Sequence, residues 1–147
     1  MKVCLNPDSM KLSDYVIYPI IAIMKKNFSL HARLQSFVYA FQGLRLLVQS
    51  QHNAWIHLMA TIVVVVLGFY WQLSRFEWSA MIFAVILVWV AEAFNTALEF
   101  LADHISPEFA PLIGKAKDLA AAAVLIASIG AVIIGLLILG PAFLDCF

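Results

Sequence analysis

Charged residues are scarce in this 147-residue chain, at 12% of the sequence against 64% hydrophobic residues. Such a composition is far from that of soluble domains, and no large aqueous domain is expected. Nine basic and nine acidic residues cancel, so the net charge does not indicate a nucleic-acid partner, and none is expected. The two cysteines, Cys4 and Cys146, lie near opposite ends and form neither a disulfide framework nor a metal-ligand spacing.

The sequence also lacks the common nucleotide-binding and hydrolytic motifs. There is no G-x-x-x-x-G-K-[ST], because Gly114-Lys115-Ala116 lacks both the first glycine and the hydroxyl residue, and there is no G-x-G-x-x-G. No H-E-x-x-H and no Ser/His/Asp set occurs. His52 and His57 are five residues apart, off the helical period, so a histidine metal site is not expected.

Long apolar runs are present instead, and they predict an all-α integral membrane protein. Three runs each approach the roughly 20 residues that a membrane-spanning helix needs. They extend over about 54–73, 78–102 and 118–140, and Pro141 is expected to end the third. Ahead of them, residues 29–48 carry apolar side chains at three- and four-residue spacing, which indicates an amphipathic helix on the membrane surface.

Two segments of different character are expected along the chain. Residues 1–28 form a poorly defined N-terminal extension, within which Met24 is a candidate translation start. Residues 29–141 form the membrane domain, with the surface helix followed by three transmembrane helices.

The basic residues predict the orientation in the membrane. Eight of the nine fall on one side of three spans when the N-terminus is cytoplasmic, and only Arg75 falls on the other. Because positive charge concentrates on the cytoplasmic side, we expect a multi-pass membrane protein with a cytoplasmic N-terminus. The segment 103–117 is then expected to be a cytoplasmic loop.

One face of the second span carries four polar side chains. Their spacings of three, four and four residues place them within an arc of about 80° on a helix. They are Glu92, Asn95, Glu99 and Asp103. Ionisable groups are costly inside a membrane and are usually functional there. The sequence also allows simpler interpretations, namely polar contacts between helices or a proton or ion pathway along the carboxylates.

A second polar cluster follows, made of Glu108, Lys115, Lys117 and Asp118. Taken alone, Asp118 is an ordinary helix cap, and the lysines are ordinary cytoplasmic charges. Beside the four polar residues of the second span, however, the cluster adds amines for phosphate oxygens to acids for a divalent cation. That combination is what phosphoryl transfer requires.

The strings ARLQSFVYAFQGL, NAWIH, AEAFNTALEFLAD and KAKDLAAAAVL resemble, in order and spacing, the prokaryotic diacylglycerol kinase family, which includes undecaprenol kinases. The resemblance covers about residues 32–135. It implies a homotrimer with shared active sites that phosphorylates a membrane lipid alcohol, diacylglycerol or undecaprenol, with Mg-ATP at the cytoplasmic interface. The N-A-W-I-H string is closer to the undecaprenol type.

The resemblance also implies a role for each site residue. Glu92 would be the general base that takes the proton of the lipid hydroxyl, and Glu99 would bind magnesium. The remaining residues would contact ATP or hold the metal–nucleotide site, with Lys117 on the phosphates: Arg33, Tyr39, Asn95, Asp103, Glu108, Lys117 and Asp118.

Gln51 departs from the family pattern. Many members carry a second metal-binding glutamate at this position, eight residues after Gly43. Glutamine keeps a carbonyl oxygen but removes one negative charge from the metal site, so weaker magnesium binding is expected. The substitution also favours the alternative of a non-catalytic, kinase-like membrane protein.

Overall fold

The computed structural model describes residues 29–105 and 110–144 of the chain. Over these ranges all the regular structure is helical, in four helices: α1 (Leu30–Ser50), α2 (His52–Tyr70), α3 (Arg75–Ile105) and α4 (Pro111–Leu144). The predicted all-α class is therefore confirmed. The expected N-terminal extension, with Met24, and the site residue Glu108 lie outside the described residues.

Helix α1 corresponds to the predicted amphipathic segment. Ser29 precedes it, and its hydroxyl accepts a hydrogen bond from the backbone N–H of Ala32 at 3.4 Å, as an N-cap side chain does. A boundary between two compact units of the chain falls inside this helix, between Tyr39 and Ala40. Most of its large apolar side chains are exposed. Its location at the membrane surface remains a prediction.

Three of the helices, α2, α3 and α4, are long and apolar enough to cross a membrane, as predicted. At 1.5 Å per residue they measure about 28, 46 and 51 Å, against a hydrocarbon core of about 30 Å. Large apolar side chains such as Phe69, Phe76 and Phe83 lie on the surface of these helices. A surface so rich in exposed apolar groups fits contact with lipid or with other membrane helices and does not fit contact with water.

Helix α3 packs mainly against α4, and α2 contacts both. The contact surfaces are built largely from small and β-branched residues, which allow helix backbones to approach closely in a membrane. The buried apolar residues of these three helices are Ala54, Met81, Ala84, Val88, Ala120, Val124 and Ala127.

The turn between α2 and α3 is fixed by local hydrogen bonds and by one close contact. Ser74 and Glu77 form a reciprocal capping box at the start of α3: Glu77 Oε2 accepts from the Ser74 N–H at 2.7 Å, and Ser74 Oγ accepts from the Glu77 N–H at 3.4 Å. Gly68 packs against the Trp78 ring so closely that an added Cβ would lie 2.8 Å from it. A side chain at position 68 would therefore displace the tryptophan.

Two predicted boundaries were wrong. Most of the segment 103–117 is helical, since residues 103–105 belong to α3, which ends at Ile105, and residues 111–117 belong to α4, which begins at Pro111. Proline is well suited to the first position of a helix, where its missing N–H has no partner to lose. Asp118 consequently lies within α4 and does not cap it. Pro141 does not end the helix either, because α4 continues to Leu144; so near the end, the proline removes only one hydrogen bond of the last turn.

Candidate functional site

The four polar residues of α3 become more exposed towards its C-terminal end. Glu92 is 0% exposed and Asn95 is 5% exposed. Glu99, one turn further, is half-buried, and the Asp103 side chain is 68% exposed. One helix face therefore carries a desolvated carboxylate at one end and a solvated carboxylate at the other, about 16 Å apart along the axis.

Glu92 lines an open cavity of about 230 Å³ formed by residues of α2, α3 and α4. Asn53, Val124, Leu125 and Ser128 are among the other lining residues. Within residues 29–105 and 110–144, neither carboxylate oxygen of Glu92 has a hydrogen-bond partner. A buried polar group without a partner costs stability. Its retention here is explained if the carboxylate binds a polar group that enters the cavity.

Glu99 is held by two side-chain amides. Gln51 Nε2 donates to Oε2 at 3.0 Å, and Asn95 Nδ2 donates to Oε1 at 3.0 Å. Gln51 occupies the single-residue break between α1 and α2, in an extended conformation, and its side chain does not cap α2. This break directs the side chain of Gln51 towards α3.

The residues around Glu99 fit a magnesium ion. Magnesium prefers hard oxygen ligands and is commonly held by one or two carboxylates together with substrate phosphates. Besides the Glu99 carboxylate, Gln51 offers Oε1 and Asn95 offers Oδ1, which is buried and has no hydrogen-bond partner among the described residues. Over the described parts of the chain, no three His, Cys, Asp or Glu side chains are grouped as metal ligands. The protein's share of the ligands would therefore be one carboxylate and two amide oxygens.

Lys117 connects the end of α3 to the start of α4. Its Nζ lies 2.9 Å from Asp103 Oδ1, and both side chains are substantially exposed. Exposed ion pairs contribute little to stability, so Lys117 can exchange this partner for another anion at low cost. Lys115 and Asp118 are exposed nearby on α4.

The contacts described above do not test the roles predicted for Arg33, Tyr39 and Glu108. Arg33 and Tyr39 are exposed on α1, in the unit that ends at residue 39. Their nucleotide contacts stay predictions. The same holds for Glu108, which lies outside the described residues.

Sequence reasoning missed His57, which it considered only as a metal ligand. His57 Nε2 lies 3.8 Å from Glu92 Oε2, on a different helix. A signal was available: Asn53 and His57 are four residues apart on an apolar span, so both face one side of α2, and both line the Glu92 cavity. His57 was considered only together with His52, which lies five residues earlier on another face of the helix.

Comparison with known proteins identifies the family of the chain. The sequence profile of the prokaryotic diacylglycerol kinase family matches residues 38–139. The chain is 36% identical over 107 residues to an undecaprenol kinase of Bacillus subtilis, covering 73% of this chain and 87% of that relative. It is 35% identical over 102 residues to a diacylglycerol kinase of Escherichia coli K12, covering 65% and 78% of the two chains. A diacylglycerol kinase of Synechocystis is 35% identical to this chain over 113 residues. The matched region covers 76% of this chain and 65% of that relative, just under two thirds of its length.

Three helices of the described chain are long and apolar enough to cross a membrane, and the family match makes this a bacterial membrane phosphotransferase. The chain belongs to the prokaryotic diacylglycerol kinase family. The predicted resemblance is confirmed, and so is the prediction of a membrane lipid kinase.

Proposed function

We propose that this protein transfers the terminal phosphoryl group of Mg-ATP to the primary hydroxyl of a membrane lipid, either diacylglycerol or undecaprenol. The observation that carries the proposal is the Glu92 carboxylate, which is fully buried and has two oxygens without hydrogen-bond partners among the described residues. A group so placed suits the removal of a proton from a substrate that arrives through the membrane.

An apolar cleft supports a lipid as the substrate. It has a volume of about 310 Å³, and its lining includes Ile56, Val64, Met81, Val88 and Val132. It shares His57 and Ser128 with the Glu92 cavity. On all three helices the cleft continues from that cavity away from the end that carries Asp103. A lipid tail in the cleft would place its hydroxyl beside Glu92.

The amide and cationic groups at the other end support a nucleotide. Glu99, with oxygens from Gln51 and Asn95, would hold magnesium, which neutralises phosphate charge when bound. Lys117 would leave Asp103 and bind phosphate oxygens. Glu99 is two helical turns, or about 10 Å, from Glu92 along the axis, so nucleotide and lipid would approach one helix face from opposite directions.

The reaction follows from this placement. Glu92 takes the proton of the lipid hydroxyl as that oxygen forms its bond to the γ-phosphorus of ATP. The bond between the γ-phosphorus and the bridging oxygen breaks, and ADP leaves with that bonding pair. Catalysis of this kind depends mainly on positioning and on the neutralisation of charge, which fits a site with a single base and few other reactive groups.

The proposal includes features implied by the family resemblance: a homotrimer with shared sites, and nucleotide contacts from Arg33, Tyr39, Glu108 and Asp118. It also includes insertion in the inner membrane with a cytoplasmic N-terminus, supported by the distribution of basic residues.

The test is ATP-dependent phosphorylation of diacylglycerol and undecaprenol, measured side by side with the full chain in detergent micelles. Glu92→Gln keeps the shape of the side chain but removes the base, and we expect kcat to fall by about a hundredfold or more. Glu77→Gln is the matched control: it makes the same change on the same helix, and glutamine can replace glutamate in the capping box.

Full activity in Glu92→Gln would refute its role as the base. A wild-type protein that is stabilised by nucleotide but phosphorylates neither lipid would favour the non-catalytic alternative. Proton flux across liposomes without ATP would instead favour a pathway along the carboxylates.

A further inference from the structure

His57 and Glu92 form a close pair of titratable side chains between α2 and α3, and Glu99 is a further charged group, two turns along α3, that acts on Glu92. His57 Nε2 lies 3.8 Å from Glu92 Oε2, and the two side chains are 15% and 1% exposed. Among the described residues that line the Glu92 cavity, these are the only two that titrate. From α4 the cavity receives alanine, valine, leucine and serine side chains. Each member of the pair is therefore the nearest titratable partner of the other.

The His57 ring is held in place by a hydrogen-bonded contact between two helices. Trp89 Nε1 on α3 donates to Thr61 Oγ1 on α2 at 3.1 Å. The same hydroxyl donates to the backbone carbonyl of His57 at 2.7 Å. The Trp89 ring also meets the imidazole edge-on, with centroids 6.4 Å apart and planes inclined by 67°. These contacts fix the position of His57 along the helix axis relative to Glu92.

Three buried polar atoms of this pair lack a hydrogen-bond partner among the described residues. Within residues 29–105 and 110–144, His57 Nε2 and both oxygens of Glu92 have no hydrogen-bond partner. Buried donors and acceptors are nearly always paired, and an exception requires an explanation. A hydrogen bond between nitrogen and oxygen is about 2.9 Å long. A side-chain movement of about 1 Å would therefore join Nε2 to Oε2.

We propose that His57 is a positioning residue, which donates a hydrogen bond from Nε2 to Glu92 Oε2 and leaves Oε1 free to take the proton of the lipid hydroxyl. The inference rests on the proposed function, since it concerns the same base. In neutral imidazole one nitrogen is a donor, so the Nε2–H tautomer supplies the bond and His57 itself exchanges no proton in the reaction. The proton from the lipid stays on Glu92 until the product leaves.

Two substitutions of His57 separate positioning from packing. His57→Leu removes the donor, whereas His57→Gln retains an N–H at nearly the same reach. We expect kcat to fall by about ten- to a hundredfold in His57→Leu, the range for a lost hydrogen bond to a charged group. His57→Gln should recover most of the loss, and the KM for ATP should not change in either variant. His52→Leu is the matched control, because it makes the same change at an exposed position of α2.

A spectroscopic measurement tests the contact without relying on turnover. The full chain, labelled with 15N in its four histidines, would be studied in detergent micelles, and the His57 Nε2 resonance assigned by its loss in His57→Gln. We expect this resonance to move in Glu92→Gln, and to be unchanged in Glu77→Gln.

Three results would overturn the inference. They are a wild-type kcat in His57→Leu, an equal loss of kcat in His57→Leu and His57→Gln, and a His57 Nε2 resonance that does not move in Glu92→Gln. Failure of the proposed function is distinguishable from these. In that case the wild-type protein phosphorylates neither lipid, and the 15N response alone decides whether the pair exists.

Discussion

Replacing Gln51 with glutamate tests the charge of the proposed magnesium site. Gln51 Nε2 donates to Glu99 Oε2 at 3.0 Å, so the substitution replaces an attractive contact with two carboxylates at nearly the same separation. Without a cation these carboxylates repel each other. With magnesium bound, the second carboxylate becomes an additional anionic ligand.

The size of the effect follows from the separation. Two unit charges about 3 Å apart interact with roughly 1.4 kcal/mol in water and about 5.5 kcal/mol at an effective dielectric constant of about 20. Glu99 is half-buried, so the repulsion lies between these limits. Magnesium carries two positive charges, so a carboxylate at position 51 would attract the bound ion by at least as much as it repels Glu99. Because about 1.4 kcal/mol corresponds to a tenfold change in affinity, we expect magnesium to bind at least about tenfold more tightly to Gln51→Glu.

The assay is the magnesium concentration that gives half-maximal lipid phosphorylation at a fixed total concentration of ATP, together with thermal unfolding with and without magnesium. The variant should need less magnesium, and magnesium should raise its unfolding temperature more than that of the wild type. Gln49→Glu is the matched control, since Gln49 is exposed two residues earlier on α1. It adds the same charge to the same end of the membrane domain without facing Glu99.

Identical half-saturation in the wild type and Gln51→Glu would refute the reasoning. It would mean that position 51 does not contribute to the metal site. An equal effect in Gln49→Glu would assign the change to general electrostatics at the membrane surface.

Two other predictions concern the nucleotide end and the turn between α2 and α3. Lys117→Met should raise the KM for ATP several-fold, because the lysine that binds the phosphates is lost. The protein should still assemble, since the exposed ion pair with Asp103 adds little stability. Lys115→Met, at an exposed neighbouring position, should raise the KM less, and equal increases would contradict a specific phosphate contact of Lys117. Gly68→Ala should lower stability by about 1–3 kcal/mol, the usual cost of overpacking, since the added Cβ meets the Trp78 ring. Gly130→Ala is the control, because a Cβ added at Gly130 has no neighbour within 4 Å, and its unfolding temperature should not fall. Equal unfolding temperatures for the two alanine variants would contradict the close contact at Gly68.

Periodicity predicted the elements that depend on local pattern. The three apolar runs became α2, α3 and α4, and the spacing from Glu92 to Asp103 placed four polar groups on one face of α3. A repeat of 3.6 residues is a property of the helix itself and needs no knowledge of neighbours. The order of exposure along that face depends on how closely the other helices pack against each residue.

The missed features depend on neighbours or on helix ends. The role proposed for His57 depends on its contact with Glu92, which lies 35 residues later on another helix. The pattern of a single helix face cannot predict such a contact. Helix boundaries were misjudged at Pro111 and Pro141, because proline interrupts a helix only where an N–H is needed. The two amide bonds to Glu99 were not predicted either, since they depend on the one-residue break at Gln51.

The depth of Glu92 has a consequence for the competition between lipid and water. Water is the natural rival of any alcohol for an activated phosphoryl group, and it is far more abundant in the cytoplasm. Because the proposed base is 0% exposed and its cavity continues into an apolar cleft, a water molecule near the nucleotide does not have Glu92 within reach. On the proposed function, burial therefore protects ATP from wasteful hydrolysis while no lipid is bound.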